Sequence, residues 1–199
     1  MALTDIGGHT IDRTALTDGC IIDIGCRGFT FAAHDYFKAK KVYAIDCDSE
    51  VFTSPPTNEN LTLMNVGISD KSGEASYYRN PSCPEATCPQ EIDEGKKTHF
   101  ATCKTITMDE LYEITGTNVD VLKLDCEGGE YVILGETFKP VPKQITVEFH
   151  YHCVPDLHNK VIDSILDRLR KDYEPVNLVW EAKHGAGFNF WDVLFVRKW

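Results

Sequence analysis

No run of apolar residues in this chain approaches the roughly twenty needed to cross a bilayer, so no membrane-spanning segment is expected. Basic residues are scarce: 20 Lys and Arg against 31 Asp and Glu give a net charge of -11. Binding to phosphate backbones needs clustered Lys and Arg, so this balance argues against nucleic acid as the main partner. The nearest thing to a basic grouping, Lys38, Lys40 and Lys41, reads as a helix C-terminus favoured by the macrodipole. The first residues, Met1 to His9, lack the basic and apolar regions of a secretory signal, and a cytoplasmic protein is expected. Repeats, low-complexity tracts and linkers are also missing. The 199 residues suit one domain over 1–199.

Cysteine, by contrast, is plentiful, with 8 residues, though below the density of a disulfide scaffold. Cys20, Cys26, Cys47 and Cys126 fall at strand ends or edges, where buried thiols are common. Cys83 and Cys88 sit in a Pro- and Glu-rich stretch with Cys103 beyond it and Cys153 near His150 and His152. Zinc sites usually present two close Cys pairs, and no second pair follows here. These four stay open between thiol, disulfide and zinc.

Strands and helices alternate along the chain. Cys20–Ile24, Lys41–Ile45, Leu61–Val66, Val119–Leu124 and Lys143–Phe149 read as strands, the Val119 run being buried on both faces. A helix is expected from about Thr30 to Ala39. Another opens at the capping box Thr107-Met-Asp-Glu110, a third runs from about Gly128 to Gly135, and a fourth carries Val161, Ile162, Ile165, Leu166 and Leu169. Glu74–Tyr78 suggests an added edge strand. Val176–Glu181 and Phe190–Val196 form a terminal hairpin. Residues from about 79 to 104 read as a long irregular insertion, a length that is usually functional and can act as a lid. The expected fold is α/β: a seven-stranded, mostly parallel, doubly wound sheet with an antiparallel C-terminal hairpin.

In such sheets the ligand crevice lies at the carboxyl ends of the strands. Asp125 and Glu127, just past Leu124, stand where chemistry is done; Glu127 and Glu130 would also suit the first turn of the next helix. Asp23-Ile-Gly-Cys-Arg-Gly28 lies between the first strand and its helix, where Gly25 lets backbone approach a ligand. Its spacing is not G-x-G-x-x-G. Asp46, ending the second strand, is placed to accept two ribose hydroxyls. Ser69 or Asp70 can hydrogen-bond an adenine edge. Glu148, His150 and His152 alternate, so they share one face of the fifth strand. His150 is the first candidate for a general base. Alternatively, Asp125 with Glu127, Glu148 or His150 can hold a divalent ion, Mg²⁺ with oxygen ligands and Mn²⁺, iron or zinc better with histidine. Tyr77, Tyr78, Phe100, Tyr151, Phe188 and Trp191 are aromatic candidates for lining an acceptor site.

Four segments occur in an order similar to that of FkbM-type methyltransferases: Asp23–Gly28, Asn65–Gly73, Thr105–Leu111 and Val121–Glu130. The resemblance runs from about Ile21 to Val196, and Lys123-Leu-Asp-Cys-Glu-Gly-Gly-Glu130 is its most distinctive block. Two features depart from the pattern: a first glycine turn one residue shorter, with Arg27 where Asn is common, and the stretch bearing Cys83 and Cys88. The resemblance implies a class I, Rossmann-like methyltransferase that uses S-adenosylmethionine and methylates a hydroxyl of a sugar or other small natural product. Cofactor-binding candidates are then Asp23, Gly25, Cys26, Arg27, Asp46, Ser69, Asp70 and Asp125. His150, Asp125 and Glu127 are the catalytic candidates. Two other classes remain, a nicotinamide or nucleotide-sugar enzyme that also holds ribose on Asp46, and a catalytically silent binding protein of the same fold.

Overall fold

A computed structural model describes residues 1–80, 83–88, 98–151, 155–182 and 189–198. The N-terminal strands β1 (Leu3–Ile6) and β2 (His9–Asp12) form a hairpin around Gly7 and Gly8. Both glycines have positive φ, as a tight two-residue hairpin turn requires. The central sheet is built from β3 (Cys20–Ile24), β4 (Val42–Asp46), β5 (Leu61–Asn65), β10 (Val119–Leu124), β11 (Gln144–His150), β12 (Tyr173–Ala182) and β13 (Asn189–Arg197). Its order is β12-β13-β11-β10-β3-β4-β5. The five strands from β11 to β5 run parallel, and β13 is antiparallel to both its neighbours. The mostly parallel sheet and its terminal hairpin agree with the sequence. The hairpin's connection, 183–188, lies outside the described residues.

One face of the sheet packs Ile22, Ile24, Leu122, Leu124, Val147 and Phe149 against α1 (Met108–Thr115), α2 (Glu130–Ile133) and α3 (Pro155–Asp172). The capping box is present as expected: the Thr107 hydroxyl accepts from the Glu110 N–H and the Glu110 carboxylate accepts from the Thr107 N–H. The opposite face packs Ile21, Val42, Ala44 and Val121 against Ile6 and Ile11 of the first hairpin and against Phe29, Phe31 and Phe37. This corrects the doubly wound expectation: among the described residues, helices cover one face, and a hairpin with turns covers the other. The helix expected over Thr30–Ala39 is replaced by turns and a short 3-10 segment, Asp35–Phe37. His34 explains the break. It is extended at ψ 145°, and its Nδ1 accepts from the Tyr36 N–H, competing with the helical ladder. Lys38 therefore caps only this 3-10 turn, and Lys40 and Lys41 end no α-helix.

The insertion is also corrected. A second, four-stranded sheet has the order β6-β9-β7-β8, with β6 (Gly67–Ile68), β7 (Gly73–Asn80), β8 (Cys83–Cys88) and β9 (Thr98–Ile106). Strands replace much of the irregular stretch expected over 79–104, and β7 is an inner strand here rather than an edge of the main sheet. Pairings between residues far apart in sequence set this register, and local composition does not report them. Residues 89–97 lie outside the described residues, as do His152, Cys153, Phe188 and the side chains of Cys83, Cys88, Phe100 and Trp191. Among the described residues Cys20, Cys26, Cys47, Cys103 and Cys126 are free thiols.

Candidate active site

Parallel pairing aligns the ends of β3, β10 and β11: Ile24 lies beside Leu124, and Leu124 beside Val147. Whatever follows these residues converges at one edge. Lys123 is the electrostatic hub. Its strand is buried throughout, and its ammonium lies 3.0 Å from Asp23 Oδ1 and 3.3 Å from Asp125 Oδ2 and donates to the Gly25 carbonyl at 2.6 Å. A buried lysine persists only with such partners. Burial opposes its charge, but Asp23 and Asp125 raise its pKa above the ordinary lysine value. Burial likewise opposes ionisation of Asp125, yet Lys123, the His9 hydrogen bond and His150 hold its carboxyl far below the usual range. Gly25 makes this closeness possible. Its φ is +79°, and a Cβ there would lie 1.7 Å from the Asp125 carbonyl oxygen.

His150, at the end of β11, is 3% exposed and ringed by acids. Its Nδ1 lies 3.0 Å from Glu130 Oε1, and the same oxygen accepts from the His150 N–H at 2.6 Å. Its Nε2 lies 3.2 Å from Glu148 Oε1, 3.6 Å from Asp125 Oδ1 and 3.7 Å from Glu127 Oε1. Burial disfavours the imidazolium, but Glu130, then Glu148 and Glu127, raise its pKa well above the histidine value. Glu130 thus holds the Nδ1 side of the ring, and Nε2 faces Glu148, Asp125 and Glu127. Glu130 does more than favour a helix start. Fully buried, it binds His150 through Oε1 and the Gly128 N–H through Oε2. Glu127 takes φ +51°, a left-handed conformation uncommon for a side chain other than glycine.

The N-terminal hairpin adds a residue the sequence reading did not anticipate. Gln144 on β11 accepts from the Asp12 N–H at 2.8 Å and donates to the Asp12 carbonyl at 3.1 Å, fastening β2 across the sheet. That places His9, 2% exposed, with Nε2 3.3 Å from Asp125 Oδ2 and Nδ1 3.5 Å from Thr146 Oγ1. His9, Asp125 and Glu148 each offer a ligand atom within 4.8 Å of the others, a spacing able to hold a metal ion.

The other candidate residues are distributed as follows. Asp46 ends β4 beside this edge, 9% exposed; its Oδ1 accepts from the Asp48 N–H at 2.9 Å. Burial pushes its carboxyl up to about 6. Arg27 ion-pairs with the buried Asp48, so its guanidinium fastens the glycine turn to the end of β4. The Cys26 side chain sits in the apolar cluster with Phe29 and Phe31. Ser69 donates to Asp70 Oδ1 at 3.2 Å on an exposed turn after β6.

A model of the methyltransferase FkbM domain matches residues 6–198, nearly the whole chain. The chain belongs to the FkbM methyltransferase family. No curated protein matches it. Among the described residues of this FkbM-family chain, no helix is long and apolar enough to cross a membrane. Within the family's matched region, sequence reasoning missed His9, Lys123 and the buried role of Glu130. Each left a trace. A lone lysine inside an apolar run demands a partner, and Gly7-Gly8 between Ile6 and His9 is a hairpin signal.

Proposed function

We propose that this protein transfers the methyl group of S-adenosylmethionine to a hydroxyl oxygen of a sugar or other small natural product, in the cytoplasm. One observation carries the reading: acids from four strands, Asp23, Asp46, Asp125 and Glu148, gather at the carboxyl edge of the sheet. The sheet order, with β13 alone reversed, supports a class I methyltransferase arrangement. The free thiols suit a reducing compartment.

The residues present fit the cofactor. Asp46 offers a carboxylate with only Oδ1 engaged among the described residues, suited to ribose hydroxyls. The Asp23–Gly28 turn is drawn against Asp125 by Gly25, which brings negative charge to the sulfonium side. Ser69 and Asp70 supply polar groups for adenine. When bound, the cofactor supplies an electrophilic methyl group; the chain's own residues supply position and charge, and alignment accounts for much of the rate in such displacements. Lys123 keeps Asp125 ionised, and Glu130 fixes the His150 ring. The acceptor's proton leaves toward the cluster of Asp125, Glu127, Glu148 and His150. Calorimetry with S-adenosylmethionine, S-adenosylhomocysteine and NAD tests the reading. Micromolar binding of the first two, lost in Asp46→Ala, is expected; a preference for NAD would sink it.

A further inference from the structure

We propose that His9, Asp125, Glu148 and His150 form a divalent metal centre of the transition-metal type, for which Mn²⁺ or Co²⁺ is a fitting probe. The two imidazoles come from strands far apart in sequence. His9 arrives on β2, and Asp125, Glu148 and His150 end β10 and β11. Ligands around an ion at about 2.0–2.2 Å stand roughly 3–4.4 Å apart. Here His150 Nε2 lies 3.2 Å from Glu148 Oε1 and 3.6 Å from Asp125 Oδ1, and His9 Nε2 lies 3.3 Å from Asp125 Oδ2.

Two further observations separate this cluster from a simple gathering of acids. The first is orientation. Each ring has its Nδ1 engaged on the far side, His150 by Glu130 at 3.0 Å and His9 by Thr146 at 3.5 Å. A metal-ligating imidazole is typically held this way, with the other nitrogen donating to a carboxylate or hydroxyl and fixing the tautomer. The second is Asp192. It pairs across from Glu148 in the β11–β13 register, and its buried Oδ1 has no hydrogen-bond partner among the described residues. Carboxylates packed this closely call for a cation beyond Lys123, which already serves Asp23 and Asp125. Two imidazoles with two carboxylates favour Mn²⁺, Fe²⁺, Co²⁺ or Zn²⁺ over Mg²⁺ or Ca²⁺. Only the ion's role, polarising the acceptor hydroxyl, rests on the methyl-transfer reading; the site itself does not.

The test is a Co²⁺ titration of the full chain after dialysis against EDTA, followed by visible absorption. One equivalent should bind saturably and raise the melting temperature. His9→Gln and Glu148→Gln should each weaken binding at least tenfold, and Glu130→Gln, which only positions His150, roughly tenfold. His34→Gln, a histidine outside the cluster, should bind as the parent does. Absence of saturable binding below millimolar Co²⁺, or unchanged binding in both His9→Gln and Glu148→Gln, would overturn the proposal. Should His9→Gln fail to fold by circular dichroism, Glu148→Gln carries the test alone. Calorimetry with S-adenosylhomocysteine keeps the two readings apart. Cofactor bound without metal removes the metal centre alone, and metal bound without cofactor supports the centre and removes methyl transfer.

Discussion

The strand β10 carries a charged network at each end, and the two are opposites. Near its start, Asp120 is fully buried and completely answered. Lys40 and Lys143 donate to it at 2.8 Å each, and the Thr17 N–H and hydroxyl at 2.7 and 2.9 Å. Burial opposes its ionisation, but those donors hold its carboxyl below the usual range. Near its end, Asp125, Glu127, Glu130 and Glu148 outnumber their cations; Glu130 is buried, but the other three stay partly open to solvent, with Asp125 about a third exposed. The closed network staples the chain, tying the loop before β3 to the start of β11. The open one leaves charge for something else to meet. A surplus of buried charge is costly, so the imbalance at the C-terminal edge marks function as the balance at the other marks structure.

Breaking the closed network should have the largest effect. Asp120→Ala strands two lysines and should lower stability by about 3–5 kcal/mol, the usual cost of removing one partner of a buried pair. Thermal unfolding measures this, and turnover at low temperature should hold. The open network should behave in reverse. Asp125→Asn should cut turnover about 100-fold, in the range for loss of a catalytic acid–base group, with a melting temperature shifted by only a few degrees. Equal loss of stability in both variants would erase the distinction.

Asp46 sharpens the contrast through pH. Its folded carboxyl is pushed up to about 6, against 3.8 for the free side chain. A raised carboxyl pKa means the native state holds a proton the unfolded chain has lost. Its favourable contribution is full below about pH 4 and is lost as pH rises through about 6. Asp46→Asn should therefore match the parent at pH 4 and exceed it by about 2–3 kcal/mol at pH 7. The same variant should bind S-adenosylhomocysteine at least tenfold more weakly at pH 7, where losing a carboxylate–hydroxyl bond costs about 1.5–3 kcal/mol. A variant that is more stable and binds less well is the signature of a strained functional group. The smallest effect belongs to Glu127, whose φ of +51° suits glycine. Glu127→Gly should raise stability by about 1 kcal/mol while lowering turnover, measured on the same preparations.

The central strands were legible because β3, β4, β10 and β11 are short, β-branched-rich and largely apolar, as burial on two faces requires. The capping box before α1 was legible for the same local reason. What failed was whatever depended on partners distant in sequence. Thr30–Ala39 has helical composition, yet His34 caps Tyr36 instead, and aromatic side chains from this segment pack on the sheet. The pairing of β7 with β9 spans a long intervening stretch, so these strands looked irregular. In the site, Asp23, Asp125, Glu148 and His150 could be named from strand ends alone. Their mutual distances could not. His9 lay hidden because only Gln144, more than a hundred residues later, fixes where it lands.

The position of β13 has a consequence for synthesis. The last strand made is the one inserted between β11 and β12. A nascent chain that has released everything through β12 still has no partner for that strand in the main sheet, and β11 keeps an open edge. The β1–β2 hairpin, made well before β11, must wait for that strand before Gln144 can seat His9. The charged edge thus joins a residue of β2 to residues made more than a hundred positions later. A chain broken off before Asn189 would lack the strand that joins β11 to β12.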